Sequence, residues 1–211
     1  MKPTLLEVAF TNTPFLEENG LTEETALTLF IPNTYEMYWN TSREEFFKKM
    51  NAEYLKFWNE ERRQKAAALN LDPIKVTILA SIVDAEALFD KEMPTIAGLY
   101  LNRLKKGMLL QADPTVIFAN GDFTVKRVTG ALLGVDSRYN TYKYVGLPPG
   151  PINMPSINAI DAVLNKENNN YLYMCAKEDF SGYHNFAATV QEHNINAKKY
   201  REALNQRNIY R

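Results

Sequence analysis

The reading turns on one stretch, Asp72-Pro73-Ile74-Lys75-Val76-Thr77-Ile78-Leu79-Ala80-Ser81-Ile82-Val83-Asp84-Ala85-Glu86. Asp72 and Pro73 are the residue types that cap and open a helix, and Ile74, Ile78, Leu79, Ile82 and Val83 then recur at helical spacing. With about 100° of rotation per residue, Glu86 falls about 20° from Leu79, about 40° from Ile82 and about 60° from Val83. A glutamate therefore projects from the apolar face. Lost hydration disfavours a charged carboxylate and raises its pKa. A glutamate held protonated near neutral pH is what a glycosidase uses as general acid. Two plainer readings stay open on the sequence alone: an ion pair between Glu86 and Arg103, or a frayed helix end that lets the carboxylate reach water. Asp84 lies about 200° around the helix from Glu86 and points away. The two cannot make the facing pair, roughly 5 to 9 Å apart, of ordinary glycosidases. A second acid would have to come from another segment, and Asp113 is the first candidate.

Outward from this helix, Ser42 and Glu45 form a capping pattern. Phe46, Phe47, Met50, Tyr54, Leu55 and Trp58 follow at helical spacing, which predicts one helix from about Ser42 to Leu69. Further helices are predicted over 94–106, with Gly107 as its stop, and over 113–120. Residues 122–155 are rich in turns, and Leu147-Pro148-Pro149-Gly150-Pro151 forbids both helix and central strand. Ordered loops of this length usually have a task, so the segment is a candidate cleft wall. A helix over 156–164, strands over 171–176 and near 183–186, and a C-terminal helix over 189–204 complete an α+β chain: a helix-rich catalytic domain with a small β-sheet and a long Pro/Gly-rich loop lining a cleft. The first forty residues read as a linker or partial element.

The chain has 211 residues, 45 % of them hydrophobic, enough for one substantial core. With 24 basic and 25 acidic residues and a net charge of −1, it has no field to steer nucleic acid or an anionic membrane, so no nucleic-acid partner is expected and a neutral polar ligand fits better. The single cysteine, Cys175, sits in an apolar run and reads as packing. The two histidines, His184 and His193, have no metal-ligand spacing, so neither metal nor cofactor is expected. No stretch approaches the roughly 18 apolar residues of a membrane span, and the first residues lack a signal-peptide pattern. Taken alone this reads as cytoplasmic, although a chain trimmed of an export or anchor segment would look the same.

The polar residues of the predicted loops suit a sugar site. Gln111, Asn140, Tyr142 and Asn185 offer neutral hydrogen-bonding groups, and Tyr139 and Tyr173 offer flat faces for sugar rings. Each has an ordinary alternative: Asn140 as a turn former, Asp113 as a helix cap, Tyr173 as a core strand residue, and His184 as a hydrogen-bonded structural imidazole rather than a proton carrier.

The run Ala80-Ser81-Ile82-Val83-Asp84-Ala85-Glu86-Ala87 resembles the YceG-like family of endolytic murein transglycosylases (MltG). So do Asn102-Arg103-Leu104, Leu110-Gln111-Ala112-Asp113-Pro114-Thr115-Val116, Tyr139-Asn140-Thr141-Tyr142, Gly146-Leu147-Pro148-Pro149-Gly150-Pro151-Ile152, Tyr171-Leu172-Tyr173 and His184-Asn185-Phe186, all in the family's order. With Ile31-Pro32-Asn33-Thr34-Tyr35 the resemblance runs over roughly residues 30–200. It implies that Glu86 is the catalytic glutamate and that Gln111, Asp113, Tyr139, Asn140, Tyr142, Tyr173, His184 and Asn185 lie on the substrate side. The implied reaction is non-hydrolytic cleavage of the β-1,4 bond between N-acetylmuramic acid and N-acetylglucosamine in peptidoglycan strands, ending in a 1,6-anhydro sugar. Two departures stand out: Asp84 where a second glutamate is frequent, and Arg138 where proline is common. Family members are held by one N-terminal transmembrane helix, act on the outer face of the cytoplasmic membrane beside peptidoglycan synthases, and carry a LysM-like module before the catalytic part. The expectation is thus a soluble fragment, with residues 1–40 a linker or remnant of that module and 41–211 the YceG-like catalytic domain. A lysozyme-type hydrolase of the same bond and a non-cutting glycan-binding scaffold are the rival readings.

Overall fold

A computed structural model describes residues 13–125, 128 and 130–207. Residues 1–12 of the expected linker, 208–211 of the expected catalytic part and positions 126, 127 and 129 of the loop lie outside the described residues. The helices are α1 (Thr13–Glu18), α2 (Arg43–Phe57), α3 (Glu60–Ala68), α4 (Pro73–Glu86), α5 (Met93–Lys105), α6 (Asp113–Asn120), α7 (Gly130–Leu133), α8 (Ile157–Leu164) and α9 (Val190–Gln206). Short 3-10 turns cover Ala26–Leu29 and Asp90–Glu92, and the strands β1 (Tyr173–Ala176) and β2 (His184–Ala187) pair antiparallel, Cys175 opposite Asn185 and Ala176 opposite His184. The fold is α+β and helix-rich, as the sequence predicts.

α4 is the axis of the core. Its Asp72 cap accepts from the Lys75 N–H, and every residue from Val76 to Val83 is buried. The apolar stripe is only part of the story, because α3, α5, α6 and α8 all pack around this helix. A helix buried on all sides must find partners for its polar side chains. Thr77 donates to the Pro73 carbonyl, and the Ser81 hydroxyl donates to the Ile78 carbonyl while accepting from the Ile152 N–H at 3.0 Å. Asn153 donates to the Ser81 carbonyl at 3.1 Å, so the Pro/Gly-rich segment is tied directly to the central helix. On α5, a Cβ at Gly98 would stand 2.6 Å from the Glu167 carbonyl oxygen; only glycine lets 167–169 run this close.

The single helix predicted over 42–69 is two. Ser42 and Glu45 do close the capping box that opens α2, but the chain leaves helical geometry at Trp58 and restarts at Asn59, whose side chain accepts from the Arg62 N–H. The Asn59-Glu60-Glu61 start signal lies inside the apolar periodicity and overrides it. The bend buries Trp58 and brings Arg62 against Asp161 of α8 with two hydrogen bonds of 3.1 Å. Leu16, Leu21, Ala26, Leu29 and Phe30 form a second apolar cluster with Phe47 and Met50 of α2.

Candidate active site

Glu86 is the last residue of α4, where Ala87 donates to the Val83 carbonyl and the chain turns extended. Its carboxyl is partly buried, and Oε1 accepts from the Tyr100 hydroxyl at 2.9 Å. Loss of hydration raises its pKa from 4.5 to about 7; the Tyr100 hydrogen bond and the Arg103 charge oppose that rise, and the Asp113 charge adds to it. Tyr100 is buried beside this acid, which pushes its own pKa well above the ordinary value and keeps it a donor.

The sequence left open an ion pair to Arg103 or a frayed end, and neither describes the structure. Arg103, 6 % exposed, spends its guanidinium on carbonyls: Nε donates to Leu172 at 2.6 Å, and Nη1 to Leu109 at 3.0 Å, to Leu110 at 2.8 Å and to the Gln111 side-chain oxygen at 3.2 Å. It ties α5 to the strand approach and to the segment after Gly107, and contributes to Glu86 only a field. Asp84 points elsewhere, as helical rotation predicts, and accepts from the Ser156 hydroxyl at 2.6 Å at the start of α8.

A cavity of about 210 Å³ opens in front of Glu86, lined also by Tyr100, Arg103, Gln111, Asp113, Tyr142, Cys175 and His184. Gln111 and Asp113 are exposed, so it communicates with solvent. Gln111 holds φ at 51°, a left-handed conformation uncommon outside glycine, with its N–H donating to the Thr141 carbonyl at 3.1 Å. Asp113 does not cap α6. Ala112 occupies that place, its N–H donating to the Thr141 hydroxyl, and this leaves the Asp113 carboxylate free to accept from Tyr142 at 2.5 Å. Burial and that acid push the Tyr142 phenol pKa up, so it too acts as a donor. His184 is gripped by one carboxylate: its N–H donates to Glu92 Oε1 at 2.9 Å and its Nδ1 lies 3.1 Å from Glu92 Oε2. Burial pushes the Cys175 thiol pKa up, which keeps it protonated and unreactive at neutral pH.

Glu86, Gln111, Asp113, Tyr142 and His184 thus share one cavity, whereas four other candidates stand back from it. Asn140 is 0 % exposed and fully committed: Nδ2 donates to the Leu133 and Val135 carbonyls, and Oδ1 accepts from the Tyr142 N–H at 3.0 Å. It is the turn former that aims Tyr142, not a sugar ligand. Tyr139 packs its ring 4.7 Å from Phe118, and Tyr173 stacks 5.4 Å from His193 with the Arg103 guanidinium over its face. Asn185 donates to Glu178 at 2.8 Å. Two residues that shape the site were not read from the sequence: Tyr100, which lines the cavity, and Glu92, which lies outside its lining and holds His184. Tyr100 sits on the α5 stripe with Ile96 and Arg103, so a polar tip on an apolar face was its available signal; Glu92, in a short turn, gave none.

A profile of the YceG-like family matches residues 5–199, further toward the N-terminus than the motifs alone. A protein of Bacillus subtilis (strain 168) named endolytic murein transglycosylase is 35% identical over 171 residues, covering 80% of this chain and 46% of the relative. A Streptococcus pneumoniae (strain ATCC BAA-255 / R6) protein of the same name is 28% identical over 176 residues, covering 80% of this chain and 31% of its own length. This chain therefore spans less than half of either. A solved yceG-like protein from Listeria monocytogenes superposes with a TM-score of 0.73 at 29% identity, over 90% of this chain and 65% of that one.

Proposed function

This chain belongs to the YceG-like family, and on that premise we propose that it cuts peptidoglycan glycan strands internally as a lytic transglycosylase, with Glu86 as its one acid/base. The relatives' shared name supports the activity and its substrate. The observation that carries the residue assignment is the Glu86 carboxyl, lifted to about 7 and held by Tyr100 at the wall of an open cavity. A group poised there is half protonated at neutral pH and can both give and retrieve a proton. Protonated Glu86 gives its proton to the glycosidic oxygen between N-acetylmuramic acid and N-acetylglucosamine as the C1–O bond breaks and positive charge grows at C1. The C6 hydroxyl of the same muramic acid then attacks C1, its proton passes to the Glu86 carboxylate, and a 1,6-anhydro ring closes. No water enters, so no second acid is required to activate one. Gln111, Tyr142 and His184 are placed to hold the sugars, and the Asp113 carboxylate to offset the charge developing at C1.

Asp113 also favours a second reading, since a carboxylate in the same cavity could direct water and make the reaction a hydrolysis. The masses of the fragments from purified glycan separate the two: anhydro ends lighter by one water are expected, and reducing muramic ends would establish hydrolysis. Glu86→Gln should keep the fold and lower the cleavage rate by about 10²- to 10⁴-fold, the usual worth of a general acid. Near-normal cleavage would remove Glu86 from the reaction, and glycan binding without turnover by the unaltered protein would favour the scaffold reading. The place of action that fits is the outer face of the cytoplasmic membrane, beside the peptidoglycan synthases.

A further inference from the structure

Among the described residues, the most exposed large apolar side chains form one turn. Tyr38 is 86 % and Trp39 98 % exposed, although water-facing aromatic rings of this size gain nothing from folding. The turn is built rather than loose. Thr41 closes it on the Tyr38 carbonyl with its N–H at 3.0 Å and its hydroxyl at 2.6 Å, placing Trp39 at the tip. Upstream, Lys49 of α2 donates to the Glu36 carbonyl at 2.5 Å and the Tyr35 hydroxyl to the Ile31 carbonyl at 2.6 Å; downstream, the Ser42–Glu45 capping box fixes the start of α2. Beside the Tyr38 ring is a concavity of about 750 Å³ whose walls include Glu36, Tyr38, Asn40, Thr41, Glu45 and Lys49, with Trp39 next to Tyr38 in the chain but outside the lining. It shares no residue with the cavity of Glu86.

We propose that the 38–41 turn is a second carbohydrate site, in which Tyr38 and Trp39 stack on sugar rings of a glycan strand while Asn40, Glu36 and Thr41 meet its hydroxyl and acetamido groups. This rests on the glycan-cutting reading above. Flat apolar faces flanked by amide and carboxylate groups are the chemistry that sugar rings require. The charge of the concavity argues against a membrane surface: two carboxylates, Glu36 and Glu45, line it against one cation, Lys49, so it has no excess of positive charge to gather anionic headgroups. A polymer held at two places dissociates more slowly than one held at one, which suits an enzyme that cuts within long strands.

The test uses Tyr38→Ala/Trp39→Ala, exposed positions whose replacement leaves the core intact. In Glu86→Gln protein, which binds without cutting, the double change should lower co-sedimentation with purified insoluble peptidoglycan at least fivefold. In protein that retains Glu86, it should leave cleavage of short soluble glycan fragments unchanged. The chain has two tryptophans, and Trp58 is buried, so fluescence changes at the surface report on Trp39. Addition of soluble glycan chains should shift that emission to the blue in the parent and not in Trp39→Phe. Equal sedimentation of the double variant and its parent would overturn the proposal, as would an emission that responds to phosphatidylglycerol vesicles and not to glycan. Loss of sedimentation on the double change in a protein that never cleaves would keep this site and reject the transglycosylase reading instead.

Discussion

The helical wall of the cavity, formed by Glu86, Tyr100 and Arg103 on α4 and α5, and the loop-and-strand wall, formed by Gln111, Asp113, Tyr142 and His184, are built by different means. The first takes its character from burial: its acid is lifted to about 7, and its cation is spent on backbone carbonyls. The second takes its character from second residues that aim the first ones: Asn140 sets Tyr142, Thr141 sets Gln111, and Glu92 sets His184. Chemistry that needs a perturbed proton sits on the rigid core helix, and recognition that needs several donors sits on tied-down loops.

Breaking the loop wall at its most buried support should give the largest loss of stability. Asn140→Ala removes a side chain that satisfies two carbonyls and one N–H at zero exposure, and should cost about 2 to 3 kcal/mol. Urea unfolding measures it, and a loss under about 0.5 kcal/mol would contradict the assignment of Asn140 as the turn former.

On the helical wall the change of Glu86 to Gln should act in the opposite sense. A carboxyl whose pKa rises from 4.5 to about 7 on folding makes its full contribution to stability below about pH 4.5, and that contribution is lost progressively as pH rises from there through about 7. Glutamine carries no such penalty. Glu86→Gln should therefore match the parent near pH 4.5 and exceed it at pH 8 by about 1 to 2 kcal/mol, a value reduced for the partial exposure of the site. Thermal unfolding at the two pH values checks the sign. The smallest effect sharpens the same comparison: Tyr100→Phe deletes the hydrogen bond that lowers the Glu86 pKa, so the pH profile of cleavage should move upward and kcat fall by about tenfold with KM little changed.

The two walls also differ in how legible they were. Helical rotation alone puts Glu86 and Asp84 on different sides, and both placements hold because the helix stays regular to Glu86, where the two side chains meet Tyr100 and Ser156. The same logic misjudged 42–69, where an Asn59 cap inside the apolar pattern bends the chain at Trp58. On the loop wall, residue type suggested sugar contacts for Asn140, Tyr139, Tyr173 and Asn185 alike. What separates them from Gln111 and Tyr142 is tertiary: which carbonyls lie within reach of Asn140, and which ring lies beneath Tyr139. A hydrogen-bonding side chain in a loop looks the same in sequence whether it faces a ligand or its own backbone.

The central claim is that folding holds the Glu86 carboxyl protonated well beyond its ordinary range, at the edge of an open cavity. Titration of that carboxyl by carbon-13 NMR in glutamate-labelled protein, with Glu86→Gln identifying its resonance, tests this most directly. A midpoint near 7 is the expected result, and a midpoint near 4.5 would contradict the account.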